Sequence, residues 1–261
     1  MTLQLKYIFA CLILFIGING SAATLTQEAD SAYMNDEYSK ALDTYLKIVD
    51  SEGTSSNLYY NIGNCYYRLN KLGMAILYYE RALRLDPSND DARTNLEFVN
   101  TKITDELGDK GMFISNTVNG FAQKFPANDW AGIALGSFVL LLGAIALYFF
   151  ATSIPLRKTG FFGAIVLLVV CVLANICASI STRYSTVSDE AVIVEPSTLL
   201  STSPRAPKDR TEEALLLHEG TKVTILDSVT VRQDSVVVKW YDVKVDNHNR
   251  AWIKGADIER I

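Results

Sequence analysis

Histidine is almost missing from this chain. Only His218 and His248 occur in 261 residues, and neither has metal-ligand spacing around it. Cysteine is scarce as well: Cys11, Cys171 and Cys177 lie inside apolar runs, which leaves Cys65 alone in a polar context. Cys171 and Cys177, six apart on a helix, face different ways, so no intrahelical disulfide is expected. Cys65 falls at a helix-packing position and reads as a small buried hydrophobe rather than a nucleophile. No glycine-rich phosphate loop, HExxH or GxSxG motif is present. These absences argue against an enzyme, and no catalytic residue, metal, cofactor or nucleic-acid partner is expected. A transporter is also disfavoured, because the two longest apolar runs hold no ionisable residue and Asn175 is their most polar group.

What the chain has in excess is apolar character, at 49% of residues and a mean hydropathy of +0.14. It is concentrated in three blocks, residues 7–18, 131–154 and 161–180. The first follows Lys6 and precedes the small residues "GSAA". That order predicts a secretory signal peptide over 1–23, with an uncleaved anchor helix as the alternative. The other two blocks, "AGIALGSFVLLLGAIALYFFATSI" and "FFGAIVLLVVCVLANICASI", carry no charge. At 1.5 Å per residue they reach roughly 30–36 Å, enough to cross the hydrocarbon core. Two transmembrane helices, 131–154 and 161–180, are therefore expected, joined by a loop over 155–160. That loop, "PLRKTG", contains Arg157 and Lys158 and no acid, which places it in the cytoplasm by the positive-inside bias. Both flanks then lie outside, in agreement with the signal peptide. They are mildly acidic: residues 24–129 hold 16 acids and 10 bases, and residues 181–261 hold 13 and 11. Within the spans, Gly132 with Gly136 and Ala174 with Ala178 make small-x₃-small pairs suited to close helix packing.

A 34-residue pattern fills the first flank. Tyr59, Ile62, Gly63 and Tyr66 are followed by Ala75, Tyr79, Ala82 and Pro87. This spacing resembles the tetratricopeptide repeat, large-x₂-L-G-x₂-Y and then Ala, aromatic, Ala and Pro. Gly63 and Ala75 sit where paired helices approach, Ala82 admits the next helix, and Pro87 ends the unit. A weaker copy 34 residues earlier places Ala29, Ala32, Ala41 and Tyr45 at matching positions. Residues 90–108 supply a lone capping helix, so two repeats plus a cap are expected over 24–108.

The resemblance implies a concave groove lined by the first helix of each pair. Carried over, it names Asn57, Tyr60, Asn64, Tyr67 and Arg68, with Asp30, Tyr33 and Met34 before them and Thr94, Asn95, Phe98 and Lys102 on the cap. Asn64 and Asn95 resemble the amide pair that holds an extended peptide in peptide-binding relatives. The basic carboxylate clamp of those relatives is not matched, since Tyr60 stands there, and a merely solvated inner face is the alternative. Residues 109–130 space Phe113, Ile114, Val118, Phe121 and Phe125 at roughly helical intervals ahead of Trp130. They read as an amphipathic juxtamembrane segment or as a soluble helix packed on the repeats.

The last 80 residues change character to β-branched, partly alternating stretches such as "TKVTILDS" and "SVVVKWYDVKV". With Gly220 before a V-x-I strand, Trp240 opening the next and "NRAWI" after a polar turn, they resemble a bacterial SH3-like barrel over 181–261. Trp240, Tyr241 and Trp252 line a ligand groove there or fill the core, core being the better reading. The fold class expected is thus a multidomain membrane protein: an α-helical repeat array, a transmembrane hairpin and a small all-β barrel. The whole order resembles the BatE family of the Bacteroides aerotolerance group. That resemblance implies an inner-membrane scaffold with periplasmic soluble domains, and partners among Bat membrane proteins bearing von Willebrand A domains and linked to a MoxR-type ATPase. A wall-binding protein gripping peptidoglycan through the barrel is the alternative.

Overall fold

The computed structural model describes residues 25–105, 118, 120–186, 189–233, 236–246 and 248–261. The expected signal peptide lies outside the described residues, as do residues 109–117 of the expected juxtamembrane segment. The chain divides into two compact units. One contains the N-terminal helices and the C-terminal sheet, and the other contains the two long apolar helices.

Five helices open the first unit: α1 (25–34), α2 (Tyr38–Glu52), α3 (Ser56–Arg68), α4 (Leu72–Leu85) and α5 (Asp90–Asn100). The 34-residue period of the side chains is also a period of the backbone. Asp36 and Asn70 both take positive φ, 61° and 57°. Behind them, Glu37 N–H donates to Ala32 O (2.9 Å) and Lys71 N–H to Tyr66 O (3.0 Å). Each helix therefore ends on a left-handed residue that turns the chain back on itself, and Asp and Asn are among the few non-glycine residues that tolerate this. Ser55 and Asn89 cap α3 and α5, accepting from Leu58 N–H (3.2 Å) and Ala92 N–H (3.0 Å). The result is two antiparallel pairs, α1/α2 and α3/α4, followed by α5.

Small residues set the spacing of these pairs. Ala29, Ala41, Ala75, Ala82 and Ala92 are fully buried in one core. Gly63 is buried too, but its neighbour is not Ala75. A Cβ there would lie 2.6 Å from the Tyr79 ring, so the glycine admits an aromatic ring rather than a second helix backbone. Pro87 is buried just beyond α4.

The C-terminal part is a curled antiparallel sheet of seven strands: β1 (Glu190–Ile193), β2 (Ser197–Ser201), β3 (Glu213–His218), β4 (Lys222–Gln233), β5 (Val236–Lys244), β6 (Arg250–Lys254) and β7 (Ile258–Arg260). Their order is β3-β2-β6-β5-β4-β1-β7. Leu200, Leu217, Val223, Val243, Ile253 and Ile258 form its core. At the β5–β6 turn the Asp246 carboxylate accepts the backbone N–H groups of His248 (2.7 Å) and Asn249 (2.8 Å), so an Asx turn shapes the connection. Residues 181–186, expected in the barrel, instead finish the preceding helix.

Helices and sheet, expected as separate domains, fall in one compact unit. Val192 and Ile261 of the sheet enter the helical core. Gly73, near the start of α4, is the point of closest approach: a Cβ there would lie 2.6 Å from Ile193 O, and its N–H donates to Glu219 (2.9 Å). Opposite it, Gly220 has φ +89°, and a Cβ would meet Ile103 and Ile76 at 2.6 and 2.8 Å. Charged groups ring this contact. Lys222 lies 3.0 Å from Glu80 and 3.7 Å from Glu190. Arg81 donates to Arg260 O (2.6 Å) and lies 3.7 Å from Glu259. Asp105 accepts from His218 N–H (2.6 Å) and the Thr221 hydroxyl (2.8 Å), with the His218 ring Nδ1 at 2.8 Å.

In the second unit, two apolar helices, Ala127–Phe150 and Ile154–Thr186, are each long enough to cross a membrane. They are joined through residues 151–153, not 155–160. "PLRKTG" forms the first turns of the second helix because Pro155 stands where a helix tolerates proline: its missing N–H would have had no intrahelical partner. The contact face of the hairpin takes in one of the two small-residue pairs: Ala174 is buried and Ala178 packs beside it, whereas Gly132 and Gly136 lie off that face. Trp130, Ala134, Ser137 and Leu141 are buried on the first helix, and Gly160, Ala174, Cys177 and Ser181 on the second. The four positions on the first helix recur at three- and four-residue steps, as do Ala174, Cys177 and Ser181 on the second, which is the spacing of a left-handed coiled seam. Among the described residues, nothing lies within 4 Å of a Cβ built on Gly132 or Gly136. In the first turn of the first helix, the Trp130 indole donates to Ala122 O (2.9 Å), while the exposed Phe121 packs tilted and Phe125 edge-on against its ring.

Candidate peptide-binding site

The inner face of the helical array is built by α3 and α5, with α1 alongside. From α3, Tyr60, Asn64 and Tyr67 follow at three- and four-residue steps and share one side of the helix. From α5, Asn95 and Phe98 stand against them. The elements bring the two amides into one network. Asn64 Oδ1 accepts from the Tyr79 hydroxyl (2.7 Å) and from Asn95 Nδ2 (2.9 Å), and Asn95 Nδ2 also reaches the Tyr60 hydroxyl (3.5 Å). Two donors saturate the Asn64 oxygen, and two acceptors occupy the Asn95 nitrogen. What remains, among the described residues, is Asn64 Nδ2 as donor and Asn95 Oδ1 as acceptor. One donor beside one acceptor is the complement of the C=O and N–H of one residue in an extended segment, which face the same way.

An aromatic surface continues from this pair. Tyr67 and Phe98 meet edge to face at 6.0 Å, and Phe98 is 51% exposed. Lys102 donates to the Tyr67 hydroxyl (2.7 Å) and stands 4.5 Å over the Phe98 ring. Arg68 lies 4.3 Å over the Tyr38 ring and 3.4 Å from Asp36, so its charge is partly matched within the chain. Burial raises the Tyr33 hydroxyl pKa above its usual value, with Arg68 pulling the other way. Burial raises that of Tyr79 further, so both remain neutral donors. Burial also pushes the Cys65 thiol up to about 12, which keeps it a packing group at neutral pH.

Not every expected lining residue joins the surface. Asp30 accepts the Tyr45 hydroxyl, tying α1 to α2. Asn57 is exposed and makes no described side-chain hydrogen bond, as do Met34 and Thr94. In the sheet, strand alternation puts Tyr241 on the opposite face from Trp240 and Trp252. Trp240 is only 1% exposed and shares its face of β5 with Asp242, while Tyr241 points to the other face and packs on the sheet core. Trp252 pairs opposite Asp242 and is half-buried. Tyr241 is flanked by Lys239 at 4.8 Å and Arg260 at 5.3 Å. Hydrogen bonding from Lys239 lowers its pKa against the opposing effect of burial. Trp240 is thus a buried residue, and no groove joins the three rings.

The residues that sequence reasoning missed are those at the helix–sheet contact: Gly73, Glu80, Asp105, His218, Glu219 and Lys222. Only Gly73 carried a signal, as a glycine inside a helix start, where it weakens the helix unless close packing requires it.

Comparison with known proteins agrees with the helical part. Residues 56–89 match the tetratricopeptide repeat family. Protein bimA of Emericella nidulans is 34% identical over 55 residues, which is 21% of this chain and 7% of that protein. The chain therefore spans a small part of the length of the curated relative it matches. The matched residues 56–89 form α3, α4 and the turn that follows, and the family they match is a non-catalytic module of protein–protein interaction.

Proposed function

We propose that this protein is a non-enzymatic membrane scaffold whose repeat array captures an extended segment of another protein. The observation that carries the reading is the linked Asn64–Asn95 pair, which offers one donor and one acceptor beside the exposed Tyr67–Phe98 surface. Two apolar helices suited to span a membrane support a two-pass anchor. The basic tip at Arg157 and Lys158 favours a cytoplasmic turn with both soluble regions in the periplasm. The order of segments favours a role in a Bat-type envelope complex, with von Willebrand A domain proteins as partners. A reporter active only in the cytoplasm, fused after Ile261, should stay silent, and strong activity there would reverse the orientation.

Capture is tested with Asn64→Ala and Asn95→Ala together. Leaving a buried peptide group unpaired costs about 1–3 kcal/mol, so partner recovery from detergent-solubilised membranes should fall about tenfold or more with the helical signal unchanged. Gly63→Leu is the contrasting variant, because it has no room beside Tyr79 and should lose capture by unfolding the repeat. Full capture by the folded double variant would remove the groove as the binding surface. Binding of the whole chain to purified peptidoglycan at wild-type strength by that variant would point to wall anchoring instead.

A further inference from the structure

At the connected end of the hairpin, Tyr148, Ile154, Arg157, Lys158, Phe161 and Phe162 line an open cavity of about 360 Å³. It is at the small end of the range for ligand pockets, about 300–1,000 Å³. Its walls combine two chemistries. Gly160 lets the helices close beneath it, since a Cβ there would lie 2.7 Å from Tyr148 N. Phe161 lies 5.9 Å from the Tyr148 ring, and the Arg157 guanidinium lies 5.6 Å from that ring's centre. Phe150, Ile154 and Phe162 continue from the cavity as exposed apolar surface.

The charge here has no internal answer. Residues 130–188 contain no aspartate or glutamate, and neither cation forms an ion pair among the described residues. The first acid before the cavity in the chain is Asp129, near the opposite end of the first helix, roughly 29 Å from Tyr148 at 1.5 Å per residue. Two cations above an aromatic floor, next to surface suited to hydrocarbon, are complementary to an anion that carries acyl chains. We propose that this cavity binds the phosphodiester headgroup of an anionic glycerophospholipid. Arg157 and Lys158 hold the phosphate, the Tyr148 hydroxyl borders the headgroup, and the acyl chains run down the exposed faces of Phe150 and Phe162. The proposal rests on the hairpin spanning a membrane.

The test uses the full chain in vesicles of phosphatidylcholine with one quarter phosphatidylglycerol, extracted in mild detergent, with retained lipid counted by mass spectrometry. Phosphatidylglycerol should be retained above its bulk share. Arg157→Ala with Lys158→Ala should lower that retention about tenfold, since each cation near a lipid surface is worth a severalfold change. Arg157→Lys should keep most of it, and so should Arg183→Ala, which removes a cation outside the cavity. Inorganic phosphate in excess should not compete. Retention at the bulk ratio, retention unchanged in the double variant, or displacement by phosphate would each overturn the lipid site. Flotation with pure phosphatidylcholine vesicles separates the two layers of the reading: wild type and double variant should both float. A chain that fails to float overturns the membrane reading, and the lipid site with it.

Discussion

Replacing Lys222 by Met tests whether helices and sheet are held together by charge as well as by shape. The ammonium lies 3.0 Å from Glu80, a residue 5% exposed on α4, and 3.7 Å from Glu190 on β1. The Glu80 carboxylate holds the Lys222 pKa above its usual 10.5, against burial, which pulls it down. A raised lysine pKa stabilises the folded state at all pH values below the unfolded value and loses that effect only as pH climbs through the folded one. The pair is therefore at full strength at neutral pH. Breaking a buried pair by removing one partner costs about 3–5 kcal/mol, because a desolvated charge is left behind. The Lys222 side chain is 40% exposed, so water softens the interaction and the lower end, about 3 kcal/mol, applies.

For a unit of this size, 1 kcal/mol corresponds to about 2–4 °C, so the melting temperature should fall about 6–12 °C in a thermal scan of the full chain in detergent. Glu80→Leu combined with Lys222→Met should recover most of the loss, since apolar replacement of both partners is close to neutral. A drop under about 2 °C for Lys222→Met, or a double variant whose loss is the sum of the single ones, would refute the claim that this pair clamps the two parts.

Two other perturbations probe separate contacts. In the hairpin, Gly136→Leu should leave assembly in detergent unchanged because Gly136 faces open space, whereas Gly160→Leu should loosen it, having the Tyr148 backbone 2.7 Å away; resistance to proteolysis of the two variants decides this, and the reverse ranking would place the helix interface elsewhere. Acid should loosen the sheet contact: burial pushes the Asp105 pKa up, but hydrogen bonds from His218 and Thr221 outweigh it and hold it below the usual 3.8. A depressed carboxyl pKa stabilises above the unfolded value and loses that effect as pH falls through the folded one, so amide exchange at 218–222 should accelerate below about pH 4. Asp105→Asn should remove that acid dependence, and its persistence in the variant would assign it to other groups.

The parts that were legible in the sequence are those whose cause is local or periodic. Ala41, Ala75 and Ala82 mark helix contacts because a helix returns the same face every three or four residues. The period of 34 extends to Asp36 and Asn70, whose left-handed turns need a residue type that short-range chemistry already favours. The uncharged runs likewise announce two long helices by composition alone. The hairpin turn lies at residues 151–153 rather than at the basic residues, because Pro155 fits the first turn of a helix as well as it fits a loop.

The helix–sheet contact has no such periodicity. Gly73 and Glu219 are 146 residues apart, Glu80 and Lys222 142, and Asp105 and His218 113. Each of these side chains, taken in its own segment, reads as an ordinary surface charge. Their pairing follows from where β1 lands on α4, which no local pattern encodes. The candidate site shows the same division. The spacing of Tyr60, Asn64 and Tyr67 made the face visible, but not that Tyr79 would occupy the Asn64 oxygen. That hydrogen bond fixes the polarity of the pair: Asn64 can offer only its nitrogen to a ligand, and Asn95 only its oxygen. If the array captures a peptide as proposed, the segment would set a carbonyl over α3 and an N–H over α5, an orientation that follows from side-chain contacts rather than from the spacing of the face.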